Sequence, residues 1–200
     1  MNEFACTVTR CTAVDGGDGV RLTLADFEDG EGRTLTVSAD DFVALGILRG
    51  GMDADTLAAV TAAAGKYMAL RAAYRMLAAG QCSRRRLYEK LRARHTSDAD
   101  ARFAVDTAYE KGYIDEDWQL RSYIRTLTAK NLYGPRKLYA ALAAKGYGGA
   151  DIRRAMDECF GEDAVRAAKR AFLEKKFGKT VPDTRDEAQA MRNALYKQGF

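Results

Sequence analysis

Residues 134–145 read GPRKLYAALAAK, and residues 83–94 read SRRRLYEKLRAR. Laid over each other at an offset of 51, they put Arg85 on Arg136, Arg86 on Lys137, Leu87 on Leu138, Tyr88 on Tyr139 and Leu91 on Leu142. The register continues downstream, with Ala101 on Ile152, Arg102 on Arg153, Ala104 on Ala155, Val105 on Met156 and Asp106 on Asp157. A fainter third copy, AMRNALYKQGF from residue 190, aligns Met191 with Leu138, Leu195 with Leu142, Gly199 with Gly146 and Phe200 with Tyr147. A period near 50 residues built on helical spacing describes stacked modules, each burying its apolar face against the next.

The punctuation around these segments divides each repeat into three helices. Asp53 or Asp55 caps a helix running to about Ala79, with Tyr67, Leu70, Tyr74 and Leu77 on one face. Ser83 is an N-cap for the RRRLYEKLRAR helix. Asp98 or Asp100 opens a third helix with Ala101, Ala104, Val105 and Ala108 inward, and Gly112 ends it. The second repeat runs from Asp115, through Gly134-Pro135 opening its middle helix, to a helix between Asp151 and Phe160. Two more helices, roughly 162–177 and 183–198, flank GKTVPD. The first 52 residues differ. FACTVTRC, VRLTLADF and RTLTV alternate like half-buried strands, with DGGDG and DGEG as turns, so the head reads as an antiparallel hairpin or three-stranded meander. Ser38 and Asp41 precede a short helix, and Gly50-Gly51 closes the head. The expected fold is mainly α: tandem three-helix units in an elongated curved molecule behind a small β head. The expected domains are 1–52 (head), 53–112 and 113–161 (complete repeats) and 162–200 (a shortened third repeat).

Composition narrows the function. No apolar run reaches the ~20 residues that span a bilayer, and MNEFACTVTR lacks the features of a secretory signal. A cytoplasmic chain without membrane contact is expected, and its four scattered cysteines read as free thiols. The single histidine, His95, lies at a helix end, and DEDW at 115–118 begins a helix, where acids act as caps. No nucleotide-binding, zinc-protease or serine-hydrolase motif occurs. The expectation is no catalytic residue, no metal and no cofactor.

Charge is unevenly spread. Residues 1–62 carry 4 basic and 11 acidic groups, whereas the remainder carries 28 basic and 17 acidic. No acid occurs from Trp118 to Ala150, and Arg86, Lys90 and Arg94 recur every four residues. Like charges at this spacing repel by roughly 0.2–0.5 kcal/mol per pair on a helix. The candidate contact residues are therefore Arg84, Arg85, Arg86, Lys90, Arg92 and Arg94 in the first repeat. In the second they are Arg121, Arg125, Lys130, Arg136, Lys137 and Lys145. They face an acidic partner or form an ordinary solvated surface. Tyr88 and Tyr139 stack on a partner or pack between helices.

Three segments carry a family resemblance. CSRRRLYEKLRAR supplies Ser83, Arg84, Leu87, Lys90 and Leu91. KGYIDEDW supplies Gly112 to Glu116, and NLYGPRKLYAALAAKGY supplies Gly134, Pro135, Lys137, Leu138, Leu142, Lys145 and Gly146. Over residues 53–200 the chain resembles the RecX regulatory proteins of bacteria. Three features depart from that pattern: Arg86 stands where glutamate is usual, RARHT replaces K-G-[FY], and the third repeat is short. The resemblance implies a non-enzymatic monomer that binds the RecA recombinase filament and inhibits ATP hydrolysis, filament extension, strand exchange and coprotease activity. It also implies weaker contact with single- or double-stranded DNA. The alternative from the residues alone is a helical-repeat protein that binds DNA without RecA.

Overall fold

The computed structural model describes residues 4–26, 32–178 and 182–200. The DGEG turn and the middle of the GKTVPD linker fall outside these residues. The described residues form nine helices and one four-stranded sheet. By contact they divide into two compact units, one of residues 1–79 and 88–111, the other of 80–87 and 112–200.

In the first unit, strands β1 (Cys6–Val14), β2 (Gly19–Asp26), β3 (Gly32–Ser38) and β4 (Gly50–Met52) lie in the order β3-β2-β1-β4. All neighbours are antiparallel, and a bulge interrupts β1 at Thr9. The fourth strand corrects the reading of Gly50-Gly51 as a terminator, because both residues pair with β1 opposite Val8 and Thr7. Pairing needs only backbone groups, which glycine has. Ser38 caps the short α1 (Ala39–Ala44), its Oγ accepting from the Asp41 N–H at 3.0 Å. Asp53 caps α2 (Ala54–Ala79) by accepting from the Thr56 N–H at 2.8 Å, and this bond holds its carboxyl below the ordinary carboxylate pKa. Helix α2 buries Val60, Ala63, Ala64 and Tyr67, the first three within the sheet's core with Cys6, Leu22 and Val37. Ala101, Ala104, Val105 and Ala108 of α4 (Asp98–Glu110) are buried as their spacing predicts. The α4 cap is Ser97, not an aspartate: its Oγ accepts from the Asp100 N–H at 3.0 Å.

The second unit contains α5 (Glu116–Asn131), α6 (Pro135–Ala144), α7 (Gly149–Cys159), α8 (Glu162–Phe177) and α9 (Arg185–Gln198). Leu120, Ile124, Leu138, Leu142, Tyr147 and Ile152 form its core. Buried Gln119 accepts a hydrogen bond from the Tyr147 hydroxyl at 2.7 Å and donates to Gln81 at 3.1 Å. Helix α3 (Arg84–Arg92) is divided between the units, with Leu87 and Leu91 fully buried.

A repeated joint orders the second unit. The end of α6 lies on the start of α3, and the end of α9 lies on the start of α6. At the first joint the Ser83 hydroxyl donates to the Lys145 carbonyl at 2.7 Å, and a Cβ on Gly146 would stand 2.8 Å from that hydroxyl. At the second, the Gly134 and Arg136 N–H groups donate to the carbonyls of Gln198 (2.9 Å) and Gly199 (3.1 Å). The Gln198 amide donates to the Leu132 carbonyl at 2.9 Å and accepts from Lys137 Nζ at 3.2 Å. The Arg136 guanidinium donates to the carbonyls of Tyr196 and Phe200 and lies 4.2 Å from the Tyr196 ring centroid. The start of α9 is closed locally by a capping box between Thr184 and Glu187.

A Cβ on Gly134 would stand 2.4 Å from the Gly199 carbonyl carbon. Gly134→Ala is therefore expected to destabilise folding by about 1–3 kcal/mol, the cost of overpacking, measured by urea unfolding. Arg136→Glu with Lys137→Glu removes the side-chain half of the joint and is expected to cost about 1–2 kcal/mol, judged from typical hydrogen-bond and cation–π contributions. An unchanged Tm for the double variant would show that these two cations do not hold the joint.

Candidate interaction surface

The twelve cations singled out in the sequence take different places. On α3, Arg84 is anchored to Glu116, its N–H at 2.8 Å and its Nε at 3.0 Å from the carboxylate. Arg85 and Arg86 are exposed beside it. Arg86 and Lys90 share one face of the helix, but the third residue of that stripe does not continue it. Helix α3 ends at Arg92, so Arg94 lies in the following turn. Arg92 braces this turn by donating to the Thr96 carbonyl at 2.5 Å. His95 occupies it in a left-handed conformation, φ 63°. Gly146 and Gly199 take the same region at the corresponding ends of α6 and α9. Histidine thus stands at a position where a side chain is strained and glycine is not.

On α5, Arg121 pairs with Glu158 at 3.0 Å, Arg125 is exposed, and Lys130 lies in the last turn, where a cation complements the helix dipole. On α6, Arg136 and Lys137 are committed to the joint described above. Lys145 places its Nζ 4.3 Å from the centroid of the Tyr123 ring. Among the described residues, the side chains of Lys90, Arg94, Arg125 and Lys130 have no ion-pair or hydrogen-bond partner.

The two tyrosines pack on the helix that follows their own. The Tyr88 hydroxyl donates to Asp98, and the Arg102 guanidinium lies 5.4 Å from its ring centroid while binding Asp98 at 2.8 Å. The bond to Asp98 raises the Tyr88 pKa, and Arg102 leads in lowering that of Asp98. Tyr139 is half-buried against the core of the second unit, its hydroxyl where a Cβ on Gly149 would lie.

The DEDW segment builds structure. Asp115 accepts from the Trp118 N–H at 2.8 Å, Glu116 holds Arg84, and Asp117 pairs with Arg154 at 2.8 Å. Among the described residues, no group of three or more His, Cys, Asp or Glu is placed to hold a metal. None of their helices is long and apolar enough to cross a membrane.

Two surface features escaped the charge pattern. Trp118 is 61% exposed and lines an open groove with Asp115, Asp117, Arg121, Ser122, Arg125 and Thr126. Its spacing to Ser122 and Arg125, four and seven residues on, marks one helical face and was readable in the sequence. Helix α8 exposes Lys169, Arg170, Lys175 and Lys176, cations outside the two repeats that the charge pattern singled out.

No family model matches this chain. A regulatory protein RecX of Pseudomonas putida (strain W619) is 31% identical over 130 residues, which cover 65% of this chain and 81% of that protein. One of Thermus thermophilus is 34% identical over 102 residues, 51% of this chain and 70% of its own length. Among solved structures, a crystal structure of regulatory protein RecX superposes with a TM-score of 0.76 at 19% identity, covering 98% of this chain and 94% of that one. RecX from Lactobacillus salivarius gives a TM-score of 0.58 at 16% identity over 68% of this chain and 88% of its own. The superpositions show a shared fold, and similarity to the Pseudomonas protein over four-fifths of its length makes this chain a member of the RecX family of regulatory proteins.

Proposed function

We propose that this protein binds the filament formed by the RecA recombinase on DNA and restrains it. It lowers ATP hydrolysis, filament extension, strand exchange and coprotease activity, and performs no catalysis itself. It acts in the cytoplasm as a monomer. The observation that carries this reading is membership of the RecX family. Support comes from Lys90 and Arg94, on α3 and in the turn after it, and from Arg125 and Lys130 on α5, whose side chains have no acidic partner among the described residues. A DNA-bound filament offers both phosphate and carboxylate to such groups. The same cations also suit a protein that binds DNA alone, and the experiments separate the two.

Added below one chain per RecA protomer, the protein is expected to reduce DNA-stimulated ATP hydrolysis by RecA. Unchanged hydrolysis over a broad titration would sink the proposal. In co-sedimentation it is expected to pellet with RecA–DNA filaments much more than with DNA. Equal recovery with bare DNA, and a steep loss as salt rises, would favour the DNA-only reading. Reversing Lys90 and Arg94 to Glu together is expected to weaken filament binding by roughly tenfold through lost electrostatic attraction. Because both side chains are exposed, folding stability should stay within ~0.5 kcal/mol of the parent.

A further inference from the structure

We infer that copies of this chain associate head to tail, with Leu48 of one copy entering a pocket on the second compact unit of the next and Val43 at the rim. Leu48 and Val43 are 80% and 77% exposed, more than any other large apolar residue described. They flank a tight turn at the end of α1. There the Gly46 N–H donates to the Val43 carbonyl at 3.1 Å and the Ile47 N–H to the Phe42 carbonyl at 3.3 Å. These bonds and the buried Ile47 side chain fix the turn, so little backbone freedom is left to lose on docking. Asp40 is exposed one helical turn before Val43. The Asp18 carbonyl accepts from the Ala39 N–H at 3.0 Å, which brings exposed Asp18 to the start of the same helix. The knob is thus apolar at its tip and acidic on one side, and Arg49 is the one cation between residues 38 and 49.

The pocket lies among the ends of α5, α8 and α9. Leu132 and Phe172 line it together with Asn131, Lys175, Lys176 and Gln198, and no acid does. Its volume of about 270 Å³ is below the roughly 300–1,000 Å³ of sites for drug-sized ligands and suits one branched side chain. Its walls are held in place. The Gln198 amide donates to the Leu132 carbonyl at 2.9 Å, and the Phe172 and Phe200 ring centroids are 6.3 Å apart. Charge selects the occupant. Residues 1–62 carry 4 basic and 11 acidic groups and the remainder 28 and 17, so the head of one copy and the body of another attract. One chain therefore carries both an apolar knob on an acidic surface and an apolar pocket with a basic rim. Knob and pocket are different patches, so the contact is heterologous: a dimer keeps one of each uncovered, and a third copy can add. A contact of one side chain and its rim is far smaller than a stable interface. The free protein stays monomeric at micromolar concentration, and the contact forms where copies are crowded together.

The inference does not rest on the proposed function, and its test uses neither recombinase nor DNA. Sedimentation velocity of the full-length chain is followed from micromolar to millimolar concentration, at low and high salt. The weight-average mass is expected to rise with concentration past that of a dimer and to fall as salt is added. Leu48→Asp removes the knob, and Lys175→Glu with Lys176→Glu reverses the rim. Each variant alone is expected to associate about tenfold more weakly than the parent. Mixed together, they are expected to form heterodimers and nothing larger, because one supplies an intact pocket and the other an intact knob. Melting followed by circular dichroism checks that both fold like the parent, as changes at exposed positions should. A mass independent of concentration would overturn the inference, leaving Leu48 to its own chain or to a different partner. So would association that salt or either variant leaves unchanged, or a mixture of the two variants that stays monomeric.

Discussion

Two backbones meet at Gly134 and Gly199 more closely than any side chain allows, and the second compact unit is arranged around that approach. The start of a helix presents N–H groups with no partner, and the end of a helix presents carbonyls in the same condition. Here one short segment serves both. The carbonyls of Gln198 and Gly199 receive the N–H groups of Gly134 and Arg136 at the start of α6, and the Gln198 amide reaches the carbonyls that end α5. Proline at 135 has no N–H to satisfy, which suits the position. The joint at Ser83 and Gly146 is built on the same plan, with a serine hydroxyl in place of a backbone N–H. The capping box of α9 satisfies that helix's start without a further module.

This constraint separates the basic residues into two groups. Arg136 and Lys137 belong to the most diagnostic motif of the chain, and their side chains are turned onto its own 196–200 segment. Arg84 and Arg121 are held by carboxylates, and Lys145 by an aromatic ring. Cations without such partners among the described residues lie on α3, in the turn after it and on α5. The motif that marks the family is thus a packing device in this chain. Of the six cations in the acid-free run from Trp118 to Ala150, four (Arg121, Arg136, Lys137 and Lys145) are spent on the protein's own groups.

The indole on α5 shows why the charge pattern missed part of the surface. DEDW reads correctly as a helix start, and its acids are consumed as a cap and as ion-pair partners. Exposure of a large apolar side chain depends on which face its neighbours cover, and no local pattern states that.

Sequence by itself determined the helical repeats, their period, most of their caps and the inward faces at Ala101–Ala108 and Leu138–Leu142. These follow from spacing and from the short reach of capping hydrogen bonds, both local properties of the chain. Tertiary structure alone decided the fourth strand at Gly50–Met52, the joint that links residues 196–200 to the start of α6, and the division of cations between internal and outward roles. Each depends on residues far apart in sequence meeting at contact distance. A charge is the same letter in the sequence whether it faces solvent or its own chain's carbonyls.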